Sequence, residues 1–581
     1  MPDKLTVNRA VQGPGGDAAS RWRRVFWRHG PRWWLGLLLL AVACAGLAVL
    51  YYRQSLTGPF TSDGAGNVLQ GQAIAAGNPL LRGWWSSDVS FYTTELPVYA
   101  LVTAIRGLSP DVVHVCGALT YTLIVLLTAL TARGRSRGAA GYYRAGIAVG
   151  MTLALSVTGS IGLYLENPDH AGTVVPVLIL LLFLDRAEDR SGGWLIPAAA
   201  CAAAAIADVG DELTLVAAIV PLAIVCAVRL TTGRLTTGHP ARAQVLLDRR
   251  LLLAAVASAG LAELANLTLR ALGGFVLRPV NGVAVAPLGQ VPAHARLLWQ
   301  AIVILFGANQ PGSTRQPQLV SAHLPVALMA AFHVTGLLLA GAGLAAGLGS
   351  LRSRQAGRAT QVLVVSILVL LAFGACTTLV QSRSYFHEVA ALLPLSAALA
   401  GRVLVPLAAR RRPAWPRSAR LPGALLGAWL ALTVAEVGYT ATWPALPPPQ
   451  QSVAAWLVSH HERAGLAGYF QATSTTVTSG GRVLVAGITL PAAASAGQPA
   501  SDRPAAYRWE SAADWYQPAR HDATFVIAVA GPASARAGGL PVPTVRASFG
   551  RPVAQYLVGA DVIMIYGYNL LTRLTPTPFP G

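Results

Sequence analysis

The stretch TSDGAGNVLQGQAIAAGNPLLRGWWSSDVSFYTTELPVY, Thr61 to Tyr99, is a polar island between two apolar runs. It carries Asp63, Asp88, Glu95, the pair Trp84-Trp85 and several glycines. Before it, Trp33 to Tyr52 is continuously apolar, and after it Asp111 to Ala132 is too. A run of about 20 such residues crosses the roughly 30 Å hydrocarbon core. In an apolar medium every backbone polar group needs an internal partner, so runs of this kind cross as helices. The stretch is therefore a loop at a membrane surface, set in a helical membrane domain. Leu96 to Leu108, overlapping its far end, is expected as a short helix that lies along that surface or begins the second span.

The rest of the chain repeats the pattern. Of its 581 residues 54% are hydrophobic and 12% charged, with a mean hydropathy of +0.51. The charged share is about half that of a soluble protein. A transmembrane β-barrel would alternate in short segments instead. Further apolar runs lie near 145–165, 172–185, 194–207, 213–230, 251–271, 322–348, 361–380, 387–408 and 421–441, predicting about eleven spans. Between 273 and 318 the segment LLWQAIVILFGANQ is too short to span and is expected to be interfacial or re-entrant.

The net charge is +20, and Lys4 is the only lysine. Nucleic acid binding would explain such a charge, but the distribution argues against it. The arginines fall in short connectors such as RWRRVFWRHGPR, RGRSRGAAGYYR, RSRQAGR and RRRPAWPRSAR. That is the bias of basic residues toward cytoplasmic loops. Eleven spans place every arginine-rich connector on one side. The expected layout is a cytoplasmic basic tail over 1–31, a transmembrane domain over 32–442 with a first extracytoplasmic loop at 53–95, and an extracytoplasmic domain over 443–581. The first run is too long for a cleaved signal and no small-residue cleavage site follows it. The abundance of Ala, Gly, Pro and Arg suits a high-GC bacterial genome, hence a bacterial cytoplasmic membrane. Cys44, Cys116, Cys201, Cys226 and Cys376 all sit in apolar runs without metal-type spacing, so they are expected to pack.

The tail from about Pro444 changes character. HERAGLAGYFQATSTTVTSG is expected as helix, break, helix, and RVLVAGITL and ATFVIAVAG as short buried strands. ADVIMIYGYNLL is expected as a third strand. Together they predict a small α/β domain.

Acids near span ends are few, and they gather on the predicted outer side. They are Asp63, Asp88 and Glu95; Glu166 and Asp169 with His170; Asp208, Asp211 and Glu212; and Glu388 beside Arg383, Tyr385 and His387. An ionisable group at membrane depth costs several kcal/mol unless it faces water or a partner. The clustering therefore predicts one shared polar cavity. The i, i+3, i+4 spacing of Asp208, Asp211 and Glu212 would put them on one helix face. Structural readings stand beside these. Asp63-Gly64 is also a turn or cap signal, and Asn167-Pro168-Asp169 a turn signal. Arg383 could snorkel to headgroups. Trp84 and Trp85 fit interface anchors better than a sugar platform. Trp509, Trp515 and Tyr516 in the tail fit core packing better than sugar stacking.

The chain resembles the GT-C fold glycosyltransferases, multispan enzymes that use a polyprenyl-phosphate-linked sugar. The matching residues are Thr61-Ser62-Asp63-Gly64 soon after the first span, the GNPLLRGWW turn and the stretch FYTTEL. Many members carry an adjacent acidic pair there, whereas Asp63 stands alone beside Gly64. The resemblance implies direct displacement at the anomeric carbon, with Asp63 as the base that takes the acceptor's proton. It implies phosphate holding by Arg383 and His387 through charge-assisted hydrogen bonds. Tyr385, Asp169 and His170 are further candidates for substrate contact. Asp88 and Glu95 would contact sugar hydroxyls or a divalent cation, Mg2+ or Mn2+; the metal ligands stay open. Implied partners are the lipid-linked donor, the bilayer and a glycan, lipid or protein acceptor. The alternatives are a transporter or flippase, or a non-catalytic envelope assembly protein. A transporter would show acids in mid-span and a repeat; here the acids lie at span ends.

Overall fold

The computed structural model describes residues 31–157, 159–167, 169–187, 193–235, 242–277, 283–309, 324–353, 356–380, 387–411, 420–490, 503–531 and 538–576. The chain forms two units, Met1–Val49 and Leu50–Gly581. The described part of the first is helical, and its apolar side chains, Trp34, Leu38, Leu39 and Val42 among them, are exposed. A helix bare of apolar cover suits lipid rather than water. This helix, α1, runs from Pro31 to Ser55.

The second unit continues with α2 (Ser62–Ala75), the short strand β1 (Trp84–Trp85) and α3 (Leu96–Arg106). Helices α4 (Asp111–Arg133), α5 (Gly138–Thr152), α6 (Ala171–Ala187), α7 (Leu195–Gly210), α8 (Val220–Leu235) and α9 (Arg242–Ala271) follow. Then come α10 (Val291–Leu305), α11 (Leu324–Leu348), α12 (Arg358–Cys376), α13 (Leu392–Arg411) and α14 (Arg420–Thr440). A helix answers each predicted run. Among the described residues eight helical segments are long and apolar enough to cross a membrane. The protein is a polytopic helical membrane fold with strands near its C-terminus. The short helix expected from Leu96 is α3, and the short apolar segment LLWQAIVILFGANQ begins within α10.

The run predicted as a span over 145–165 departs from that reading. Helix α5 stops at Thr152, the chain opens, and a single π-helical turn forms at Gly162–Glu166. Hydroxyl groups explain the break, because Ser and Thr side chains compete for backbone partners. The Ser160 hydroxyl accepts from the Ser156 amide at 2.7 Å, and Ile161 N donates to Ser156 O at 3.1 Å. Tyrosines then satisfy the freed carbonyls: Tyr121 donates to Thr152 O and Tyr51 to Leu153 O, both at 2.6 Å. Tyr121 also packs against Tyr51 and Tyr164, with ring centroids 5.1 and 4.7 Å away.

The basic ends of the helices meet. Arg402 in α13 donates to Thr131 O of α4 at 2.6 Å and to the Asp185 carboxylate of α6. Arg358 at the start of α12 donates to Asp248 of α9 at 2.6 Å, and Arg229 of α8 donates to Gln361 at 2.9 Å. The arginine-flanked ends of these helices therefore lie together, as the connector pattern requires. At opposite ends, Asp111 opens α4, Asp169 precedes α6 and Glu388 precedes α13.

The C-terminal part holds α15 (Gln451–Ser459), β2 (Ala464–Ala467), α16 (Tyr469–Thr478), β3 (Leu484–Thr489), β4 (Ala505–Ala506), β5 (Ser511–Ala512), β6 (Phe525–Val529), α17 (Val542–Phe549), β7 (Ala554–Val558) and β8 (Asp561–Ile565). Six strands form one sheet in the order β4-β3-β2-β6-β8-β7. Strands β3, β2 and β6 are parallel, and the others join antiparallel. The three expected strands are β3, β6 and β8. The expected helix over HERAGLAG is instead β2, at the centre of the sheet. A central parallel strand is buried on both faces and needs only a short apolar run; AGLA, one leucine among three small residues, supplies it without a β-branched side chain.

Candidate active site

Helix α2 starts where the polar island starts. Thr61 is its N-cap, accepting from Gly64 N at 3.1 Å, so the cap reading of this segment holds for Thr61. Asp63 sits in the first turn, where the helix N-terminus favours an acid. It is half-buried. Close approach fixes the glycines around it. A Cβ on Gly71 would lie 2.9 Å from the Ala100 amide of α3, and one on Gly66 would collide with the Glu510 carboxylate.

Asp63 meets the C-terminal part. The Tyr469 hydroxyl, at the start of α16, lies 2.8 Å from Asp63 Oδ1 and 2.6 Å from Glu510 Oε2. Thr473 of the same helix donates to Ser62 O at 3.1 Å. Strand β1 pairs antiparallel with β5, Trp84 opposite Ala512 and Trp85 opposite Ser511. Ring packing reinforces the seam: Trp84 meets Trp515 at 5.2 Å and Trp85 meets Tyr516 at 6.2 Å. The four rings thus serve as packing between loop and tail, and the expectation that Trp84 and Trp85 anchor at the membrane interface gives way to this. Trp84 and Trp85 are both 6% exposed, because pairing two apolar faces removes more apolar surface from water than an interfacial site does. Glu510 is 1% exposed. Burial, then the Asp63 and Asp169 carboxylates, push it well above the usual carboxylate range.

The second acidic loop closes over α2. Asn67 donates to Asp169 Oδ1 at 2.8 Å, and Thr61 N donates to Glu166 O at 3.4 Å. Burial and the neighbouring Asp63 raise Asp169 to about 7. Asn67 and Asn167 are buried, and each has an Oδ1 with no hydrogen-bond partner among the described residues. Buried acceptors of this kind are uncommon and call for an explanation.

His170 has φ of +60° and gives Nδ1 to Asp211 at 2.7 Å. Burial alone would lower it, but the Asp211 carboxylate raises it to about 10, helped by Glu388 and Glu95. Glu388, in the turn that precedes α13, thus lies near the site, as does half-buried His387 beside it. Arg383 and Tyr385 lie outside the described residues.

One expectation changes. Asp208, Asp211 and Glu212 do not share a helix face, because α7 ends at Gly210 and Asp211 is extended, with φ of −157°. Glu95 is committed inside the protein: Oε1 accepts from Gly172 N at 2.9 Å and Oε2 from the Thr94 hydroxyl. It thereby serves the first turn of α6, and burial raises it to about 8. Both Glu95 oxygens thus accept hydrogen bonds inside the protein, whereas Asp88 is exposed. Among the described residues no group of three or more His, Cys, Asp or Glu is arranged to hold a metal ion. Sequence reasoning missed Tyr469 and Glu510 altogether. Two acids, Glu510 and Asp514, in the aromatic segment AAYRWESAADWY were the available signal.

Gly66→Ala tests the contact between loop and tail. Alanine improves helix propensity by about 1 kcal/mol, but overpacking against Glu510 costs about 1–3 kcal/mol. The expected result is a lower melting temperature; an unchanged or higher one would mean that Glu510 does not lie against α2.

No family model matches the chain, and no curated protein matches it in sequence. Solved structures similar to it include the following two. One is the arabinofuranosyltransferase AftD from Mycobacteria, at 16% identity and a TM-score of 0.43, covering 91% of this chain. The chain spans 40% of the length of that protein. The other is the archaeal oligosaccharyltransferase AglB from Archaeoglobus fulgidus, in complex with an inhibitory peptide and a dolichol-phosphate, at 12% identity and a TM-score of 0.45. That match covers 84% of this chain and 69% of AglB.

Proposed function

We propose that the protein is a membrane glycosyltransferase that moves a sugar from a polyprenyl-phosphate-linked donor to an extracytoplasmic acceptor. The observation that carries this reading is the convergence on Asp63 of polar groups from separate segments. Asn67, Asn167, Asp169 and Tyr469 supply directional hydrogen bonding of the kind a polyhydroxylated ligand needs, and the unpaired amide oxygens of Asn67 and Asn167 are acceptors for sugar hydroxyls. On this reading the cluster lies at headgroup depth, where a lipid phosphate would meet it.

In the proposed reaction Asp63 accepts the proton of the acceptor hydroxyl. The oxygen attacks the anomeric carbon, the bond from that carbon to the lipid phosphate breaks, and the phosphate leaves with its electron pair. His170, held cationic by Asp211, balances the charge of the leaving phosphate, with Arg383 and His387 as further candidates. Asp88 contacts the sugar at the exposed rim.

The test is consumption of a polyprenyl-phosphate sugar by purified protein in vesicles that contain an envelope glycan acceptor. Transfer to the acceptor is expected. Movement of the lipid-linked sugar across the bilayer without consumption would point to a transporter instead. The reading also places the C-terminal part outside the cytoplasm in a bacterial inner membrane. Val553, 77% exposed, is the reporter: Val553→Cys in a cysteine-free background is expected to react with an impermeant maleimide on intact spheroplasts. Reaction only after lysis would overturn the orientation.

A further inference from the structure

The Tyr469 hydroxyl lies between two carboxylates, 2.8 Å from Asp63 Oδ1 and 2.6 Å from Glu510 Oε2. Both separations are hydrogen-bond lengths. A phenol has one proton to donate, and an ionised carboxylate only accepts. Two hydrogen bonds around one hydroxyl oxygen therefore need a second proton, and one of the carboxyl groups must hold it.

We propose that Glu510 is a neutral carboxylic acid that donates to Tyr469, which in turn donates to Asp63, so that the C-terminal part positions the reactive carboxylate and leaves it as the charged member. The proposal rests on the reading of Asp63 as the base. The direction of the chain follows from burial. Glu510 is 1% exposed and wedged against Gly66, whereas Asp63 is half-buried. Ionising the more deeply buried of two carboxyls costs more. The groups acting on Glu510 are Asp63 on α2, Asp88 in the first loop, Asp169 before α6, and Tyr469 on α16. The three carboxylates oppose a second negative charge, and only the Tyr469 hydroxyl favours one; burial and the carboxylates outweigh it. Their combined effect agrees with the raised proton affinity of Glu510.

Tyr469 and Glu510 are thus positioning residues. One Asp63 oxygen is fixed by the phenol, which orients the other toward an acceptor hydroxyl. As pH rises and Glu510 loses its proton, the phenol is drawn to the new carboxylate and its hold on Asp63 weakens. Activity of the wild type then falls on the alkaline side.

The experiment compares Glu510→Gln, Glu510→Ala and Tyr469→Phe in proteoliposomes, with Asp63→Asn alongside. Glutamine keeps a neutral donor at the position of the acid. It is expected to hold kcat within about fivefold of wild type at neutral pH and to lose the alkaline fall. Alanine and the phenylalanine at 469 are each expected to lose at least about tenfold, a fraction of the 10² to 10⁴ that general-base catalysis supplies. The infrared difference spectrum between wild type and E510Q is expected to show the carbonyl stretch of a protonated carboxyl, a signal independent of turnover. Loss of activity in E510Q equal to that in E510A, or absence of the protonated-carboxyl band, would overturn the proposal. An active D63N with an inactive E510Q would put the proton on Asp63 and overturn it as well. If the wild type consumes no lipid-linked sugar, the functional reading fails while the infrared measurement still locates the proton. If E510Q does not fold, the wild-type minus Y469F spectrum decides: the band must shift when its phenol partner goes.

Discussion

Asp63→Asn is expected to lower turnover of the lipid-linked sugar by about 10² to 10⁴, the contribution typical of a general base. Asparagine keeps the shape of the side chain and accepts from Tyr469 through its amide oxygen, so the link at 2.8 Å survives. What disappears is the capacity to take the acceptor's proton. Insertion and folding should be retained, because Thr61 rather than Asp63 caps α2. Stability should in fact respond in the opposite direction to activity. Burial and then the Asp63 charge hold Asp169 at about 7. An acid whose folded pKa exceeds its unfolded one costs stability as pH rises from the unfolded value through the folded value. Here that window runs from the ordinary carboxylate range to about 7. D63N removes the like charge, so its unfolding curve should decline less across that window than that of the wild type. Asp88→Asn is the control. Asp88 is exposed, and its removal should weaken activity less. Near-normal turnover by D63N, in vesicles where the wild type is active, would remove Asp63 from the reaction.

The membrane part of this fold was legible because two independent signals coincide. Runs of about 20 apolar residues mark spans, and arginine marks one set of their ends; the Arg402–Asp185 and Arg358–Asp248 pairs bear out that grouping. The first loop was legible as a polar site because acids are scarce in such a chain. Its internal order was less so. That α2 is a helix follows from the Thr61 cap, a local signal, but the closeness of Gly66 to Glu510 is a tertiary fact that spacing does not carry. The break after Thr152 was hidden because LALSVTGSIGLYL is apolar enough to span, and only hydrogen bonds from Ser160, Tyr121 and Tyr51 show why it opens.

The partners of Asp63 were the part most out of reach. Tyr469 lies 406 positions from it in sequence. The segment that brings Glu510 to it is anchored by a ladder of two residues, Trp84–Trp85 against Ser511–Ala512, too short for any alternation to register. The tryptophan pair was read as a membrane anchor on its own. The matching Trp515-Tyr516 pair in the tail gives it a partner, and no local rule joins two aromatic pairs across the chain.

Asp211→Asn is expected to cost about 3–5 kcal/mol, the range for breaking a buried ion pair from one side. Asp211 is 1% exposed and joins two helix ends. It accepts from His170 Nδ1 and Thr173 Oγ1, both at 2.7 Å, on the α6 side, and from Leu213 N at 2.9 Å just past α7. Asparagine cannot serve all three without charge, and it leaves His170 at a positive φ of 60° without its ion partner. The pH dependence identifies the cause. Burial alone would raise Asp211, yet His170 and the hydrogen bonds hold it below the usual range. Burial alone would lower His170, yet Asp211 raises it to about 10. A histidine raised on folding gives stability that is fully present below its unfolded pKa of about 6.5. That stability is lost as pH rises through about 10. The depressed acid gives stability present above the ordinary carboxylate range and lost as pH falls through its folded value. The D211N deficit should therefore be largest near pH 5–6.5 and shrink steadily toward pH 10, as read from unfolding in detergent at each pH. The same change should raise KM for the lipid-linked sugar more than it lowers kcat if the His170 cation holds the donor's phosphate. A deficit that stays constant from pH 6 to pH 10 would show that the two side chains meet as a neutral hydrogen bond, and His170 would then bring no charge to the site.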